Sequence, residues 1–413
     1  MTLLPRRRLL QALAAAPLAA SGLQLQAAST GTPRLLVVFL RGAYDATSLL
    51  VPIASPFYYE QRPNIALARP GSAPDAALAL TSDWGLHPAV GATLAPLYQR
   101  GELAFVPFAG TDDASRSHFE TQDSIEMGQP LVGARDFQSG FLNRLAQVLG
   151  TRDAIAFTDQ LPLCLRGAQQ LPNLVLSRLG RGTSDARQAG LINSMYAGTP
   201  LAGAVRDSFA VRDEALREIN GAGAGAAKPV AGGALAAEML AASRQAITAR
   251  GFEGEARRMA RLMRDRYRLG FVDVGGWDTH VSQGAASGVL AKRLEELGQG
   301  LAAYADELGP AWADSVVVVL SEFGRTLREN GNRGTDHGHG SVYWVLGGAV
   351  RGGRIAGEQV ALTPTSLFQQ RDLPVLNEYR ALLGGLFRRL YGLSPAQLDT
   401  VFVGVAPTDM GLL

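Results

Sequence analysis

Several things are scarce in this 413-residue chain. It has a single cysteine, Cys164, which excludes an internal disulfide and a zinc site built from thiolates. Lysine occurs only at Lys228 and Lys292, so the positive charge is almost entirely arginine. With 39 basic against 37 acidic residues and no basic run beyond the N-terminus, the concentrated basic face that nucleic acid requires is missing. Past that terminus no apolar run is long enough to cross a membrane. Charged residues amount to 18% and hydrophobic ones to 47%, too apolar for a disordered chain and ample for a large core. Histidine is also rare, occurring only at His87, His118, His280, His337 and His339.

What is present begins with an address. Arg6, Arg7 and Arg8 precede Leu9 and Leu10, a small apolar stretch runs from Ala12 to Gly22, and Ala27 and Ala28 offer a cleavage site. Residues 1–29 therefore resemble a twin-arginine signal peptide. The expected product is a soluble periplasmic protein, free of the membrane once the signal is cut. Residues 30–413 are expected to form one α/β domain, with a flexible Gly/Ala-rich linker near 221–233.

Apolar runs rich in β-branched residues predict buried strands at Leu35–Leu40, Leu103–Pro107, Gly270–Val274, Ser315–Leu320 and Val342–Leu346. Shorter candidates lie at Ala154–Phe157 and Leu174–Leu176. Helical patterns cover His87–Tyr98, Phe141–Leu149, Leu235–Leu269, Val289–Leu308 and Glu378–Tyr391. Strands alternating with helices predict a doubly wound α/β fold, with a mainly parallel central sheet and helices on both faces.

The chemistry gathers in loops after strands. Asp45 follows the first strand, Asp278 and His280 follow another, and Glu322 ends the strand at Ser315–Leu320. Asp336, His337 and His339 fall within four residues between glycines, and His118 follows Ser117. In a parallel sheet such loops converge on one rim. Imidazole with carboxylate suits a divalent metal such as zinc or manganese, one ion or two. Such an ion, held by Asp45, Asp278, His280 and His337, would activate a water or the Ser117 hydroxyl. Arg41, Arg116 or Arg325 would clamp an anion. His87, before Pro88 at a helix start, reads as structural. Each piece also has a plainer reading: Asp45 as a helix cap, Glu322 as a salt-bridge partner of Arg325, Ser117 as a loop serine.

The pieces FLRGAYDATSLLVP, LHPAV, SRSHFETQD, GGWDTH, LSEFGRT and GTDHGHG, in this order behind the signal, resemble the exported bacterial family known as domain of unknown function 1501. That family is placed in the alkaline phosphatase and sulfatase superfamily. The resemblance implies an alkaline phosphatase-like fold and a metal-dependent hydrolase acting on a phosphate or sulfate ester. It implies Asp45, Asp278 and His280 as ligands and Ser117, with His118 beside it, as nucleophile. The superfamily's Asp-His pair stands here as Glu322-Phe323, so one imidazole is missing. Either Asp336, His337 or His339 replaces it, or a single ion binds, or the site is degenerate. The alternative is thus a non-catalytic secreted binding or scaffold protein on the same fold, with a protein partner left open.

Overall fold

The computed structural model describes residues 32–176, 186–199, 201–203, 205, 206, 209 and 241–413. The signal reading at 1–29 and the Gly/Ala-rich stretch at 221–233 lie outside the described residues. Among those described, no helix is long and apolar enough to cross a membrane.

Nine strands make the main sheet: β1 (Arg34–Leu40), β2 (Leu103–Gly110), β3 (Ala154–Ala156), β4 (Ile247–Thr248), β5 (Leu269–Gly275), β6 (Ser315–Ser321), β7 (Ser341–Leu346), β8 (Arg354–Ile355) and β9 (Asn377–Glu378). Their order is β8-β2-β7-β6-β1-β5-β3, with β9 also on β2 and β4 also on β5. β1 is central and pairs in parallel with β5 and β6. Its seven residues are all buried, which is why it reads as a continuous apolar run. Among the described strands of this sheet only β7 opposes its neighbours, pairing antiparallel with both β2 and β6.

Alternate residues of β1 serve two cores. Leu36, Val38 and Leu40 join the core under α3 (Phe252–Asp265) and α4 (Val289–Leu308). Leu35, Val37 and Phe39 join the core under α2 (Phe141–Leu149), α5 (Tyr379–Tyr391) and α6 (Pro395–Val401). In α4 the buried Leu290, Leu294, Leu297 and Leu301 recur at helical spacing, each such side chain contributing about 1.5–3 kcal/mol. The fold is α/β with helices on both faces of a mainly parallel sheet, as the sequence pattern predicts.

Local departures have local causes. The Leu235–Leu269 pattern does not give one helix. From 241 onward the chain turns through left-handed Arg244 and Gln245, forms β4, and begins α3 only after left-handed Gly251. Leu174–Leu176 is not a strand; beside it only Asn173 bridges to Ala156. His87–Tyr98 divides into a 3-10 turn at Pro88–Val90 and a helix at Leu94–Gln99. β2 runs on past Pro107 to Gly110 because left-handed Phe108 lets the strand bulge against β7. Beyond β2 the chain runs through a loop into α1 (His118–Met127).

Candidate metal centre

β1, β5 and β6 end level with one another, Leu40 lying beside both Val274 and Ser321. β7, running the other way, begins at that same rim. His337 and Gly338, just ahead of it, therefore meet the residues that leave β5 and β6. Two glycines make this approach possible. A Cβ on Gly334 would lie 2.3 Å from the carbonyl oxygen of His280, and one on Gly338 would lie 2.5 Å from the backbone carbon of Arg325.

Three imidazoles gather around Asp278. Nε2 of His337 lies 3.0 Å from Nε2 of His118 and 3.0 Å from Nε2 of His280. Asp278 Oδ1 is 2.9 Å from Nε2 of His280 and 3.2 Å from Nε2 of His337, and Oδ2 is 3.5 Å from Nε2 of His118. His118, Asp278 and His337 offer ligand atoms all within 4.8 Å of one another.

Every Nδ1 faces away from this centre onto an oxygen. His118 meets Glu322 Oε1 at 2.8 Å, His280 meets Asp336 Oδ1 at 3.3 Å, and His337 meets the carbonyl of Arg116 at 3.1 Å. Protons placed on Nδ1 by these partners leave the Nε2 lone pairs turned inward, the arrangement metal-binding histidines adopt. Phe323 stacks on His118 with ring centroids 5.0 Å apart.

Electrostatics follow from the partners. Burial opposes charge on His118, but Asp278 and Glu322 outweigh it and lift the imidazole to about 9, so a cation would have to displace the Nε2 proton before that lone pair could bind it. Burial alone would raise Glu322; His118 and Gln122 overcome it and hold the carboxyl at about 2. Asp278 is driven well below the carboxylate range against its burial, by the three histidines and by Arg325. Arg325 Nη1 lies 2.5 Å from Asp278 Oδ1, and its Nε and Nη2 are taken by the side chain and carbonyl of Thr335.

The predicted residues are not all here. Asp45 lies outside the cluster: Arg62 binds it at 2.6 and 3.0 Å, and Ser48, Thr47 and Gln283 occupy the same two oxygens. Glu322 stands behind His118 rather than among the ligand atoms, also receiving Gly42 N–H and Gln122. Asp336 likewise supports His280 from its outer side. His339 packs instead on the Phe368 ring, centroids 4.4 Å apart. Arg41 is spent on Asp273 and Glu126, at 2.6 and 2.8 Å, and like Arg325 is only 2% exposed, so neither guanidinium as placed clamps an external anion. Ser117 caps α1, accepting the Glu120 N–H at 3.5 Å, directly before His118. His87 is structural: its ring accepts from Ala89 N–H and meets the Ala285 carbonyl.

Sequence reasoning missed Phe323, Gln122, Arg62 and Gln283. Nothing in a linear reading marks the last three, because each partner lies on another segment. Phe323 was visible only as a gap in a ligand pattern. Within the His118, Asp278 and His337 set the fit to a cation is good: two ligands about 2.0–2.1 Å from one tetrahedral ion stand about 3.3 Å apart, close to the 3.0 Å between Nε2 of His118 and of His337.

Among known proteins, a solved structure described as a protein in the alkaline phosphatase superfamily from Vibrio parahaemolyticus resembles this chain at 9% identity and a TM-score of 0.39. The likeness covers 87% of this chain and 67% of that one, and it is too distant to define anything here. No curated protein matches. The family model described as protein of unknown function, DUF1501, matches residues 32–402, and the chain belongs to that family.

Proposed function

We propose that this chain is an exported, metal-dependent hydrolase acting in the periplasm on a small anionic ester, a phosphate or a sulfate. The carrying observation is that the Nε2 atoms of His118, His280 and His337 gather around Asp278 while each Nδ1 is held from behind. Three imidazoles and one carboxylate form a donor set that suits zinc or manganese. A divalent ion there would supply Lewis acidity and lower the pKa of a hydroxyl or water placed against it.

The chain's own groups do the rest. His118, His280, His337 and Asp278 bind. Glu322 keeps the proton of His118 on Nδ1, and Asp336 does the same for His280. Arg325 balances the charge of Asp278 on its buried side. Ser117 is the proposed nucleophile: it adjoins His118, and its capping contact of 3.5 Å is long enough to give up. Arg116, with a side chain one-fifth exposed, is the least enclosed of the three arginines, and an incoming anion would share its guanidinium with Asp372.

One observation favours the rival reading, a non-catalytic binding or scaffold protein: Arg325 occupies an oxygen of the central carboxylate. Metal analysis of the purified mature protein, followed by aryl phosphate and aryl sulfate turnover with zinc and with manganese, separates the two. Bound metal with turnover supports the hydrolase. Tight metal with neither ester cleaved supports a binding role, and no metal under any loading condition, with no turnover, overturns the hydrolase and supports a scaffold.

A further inference from the structure

Behind the imidazole cluster, Phe368–Asp372 forms a tight reversal in which Phe368 N–H donates to the Asp372 carbonyl and Asp372 N–H donates back to that of Phe368. Gln369 and Gln370 at its tip both have left-handed backbones, at φ 53° and 55°. A backbone held there by two consecutive non-glycine residues is over-determined by its surroundings. Two of its residues reach the loops that carry the imidazoles. Arg371 donates from Nη2 to the carbonyl of His337 at 2.6 Å. Asp372, fully buried, accepts on Oδ2 from Nε and Nη2 of Arg116 at 3.0 and 2.6 Å. Its Oδ1 is buried with no hydrogen-bond partner, with Arg371 Nε 3.6 Å away.

Arg116 is itself left-handed, at φ 55°, and its carbonyl is the atom that meets Nδ1 of His337. Its guanidinium is gripped by Asp372 and by Gln369, so the side chain anchors a backbone conformation that few side chains favour. We propose that Asp372 is a positioning residue of the cluster. Through the Arg116 guanidinium it holds the Arg116 carbonyl against Nδ1 of His337, and so keeps the Nε2 lone pair of that histidine aimed at Asp278 and its neighbours. The proposal rests on reading the cluster as a metal centre, and it extends that reading to a carboxylate that is not itself a ligand.

The test uses the full mature chain, labelled with 15N-histidine, as wild type, Asp372→Ala, Asp372→Asn and Arg116→Lys, with His337→Gln to assign the resonance. Two quantities are read: the tautomer of His337 in metal-free protein, and cobalt(II) affinity with its visible spectrum. Wild type is expected to hold the Nδ1–H tautomer. Asp372→Ala is expected to mix the two tautomers, weaken cobalt binding about ten- to a hundred-fold and alter its spectrum. Asp372→Asn, which keeps an oxygen facing Arg116, is expected to retain most of both. Should Asp372→Ala fail to fold, Arg116→Lys, which loses the planar fork, is read in the same way. A folded Asp372→Ala or Arg116→Lys protein with unchanged tautomer and unchanged cobalt affinity overturns the proposal. If wild type binds no cobalt, the metal reading falls, and the tautomer comparison still decides whether Asp372 positions His337.

Discussion

Two buried carboxylates, Asp45 and Asp278, follow neighbouring strands of one sheet, and both are 1% exposed. Asp45 is matched by the guanidinium of Arg62, a hydroxyl pair and an amide. Asp278 is matched by three imidazoles and only one guanidinium. Guanidinium donates and never accepts, and the hydroxyls and the amide also donate to Asp45, so this network is closed: both carboxylate oxygens are already taken by donors. Imidazole can turn a lone pair inward, so the Asp278 network is open. The partner rather than the acid decides whether a strand-end aspartate is scaffold or ligand. The two networks are also joined, since Gln283 binds Asp45 and, through Thr335, reaches Arg325.

That contrast can be broken by substitution. The largest effect is expected at the open network: Asp278→Ala or His337→Ala should abolish stoichiometric metal binding, read by metal analysis, and lower any ester turnover by more than about a hundredfold. A variant that kept full metal content would remove the distinction. At the closed network, Arg62→Ala should cost about 3–5 kcal/mol in urea denaturation, because it strands a buried charge, while metal per folded molecule stays at one wild-type equivalent.

Glu322→Gln sharpens the comparison by testing a carboxylate that supports a ligand. Metal stoichiometry should hold while affinity, measured by chelator competition, falls about ten- to a hundredfold. The smallest effect concerns pH. Burial would raise the Asp45 carboxyl, but Arg62, Gln283 and Ser48 hold it at about 2, against an ordinary 3.8. A carboxyl depressed on folding stabilises above its unfolded pKa, and that stability is lost as pH falls from about 4 through 2. The contribution is about 2 kcal/mol. Denaturation of wild type and Asp45→Asn between pH 5 and 2 should show a steeper loss in wild type, the remaining slope in the variant coming from other depressed carboxyls such as Glu322; equal slopes would remove the Asp45 assignment.

The sheet was readable because its strands are buried on both faces and therefore uninterrupted in sequence. The rim was readable too, since parallel strands deliver their following loops to one side. What linear reading lacked was the pairing across segments. Asp45 and Asp278 look alike in sequence, and only folding brings Arg62 to one and His118 to the other. Glu322-Phe323 looked like a lost ligand pair, yet Glu322 holds His118 from behind and Phe323 stacks on it. In a regular extended segment His337 and His339 would share a face; the chain bends at His339, which packs on Phe368, and only His337 joins the cluster. The long helix over Leu235–Leu269 failed because helical periodicity carries no information about the reversed backbone at Arg244 and Gln245.

The reversed direction of β7 has a consequence for how the protein comes together. The excursion from Ser321 to Ser341 leaves and re-enters the sheet on the same side, so Arg325 and His337 can bridge while the chain is still forming locally. His118 joins His337 across 219 positions and His280 joins it across 57, contacts that exist only after distant parts have docked. A half-assembled chain therefore lacks the full grip on a cation. If the cluster holds an ion as proposed, its uptake would report complete maturation, and free ion concentration would shift the midpoint of unfolding.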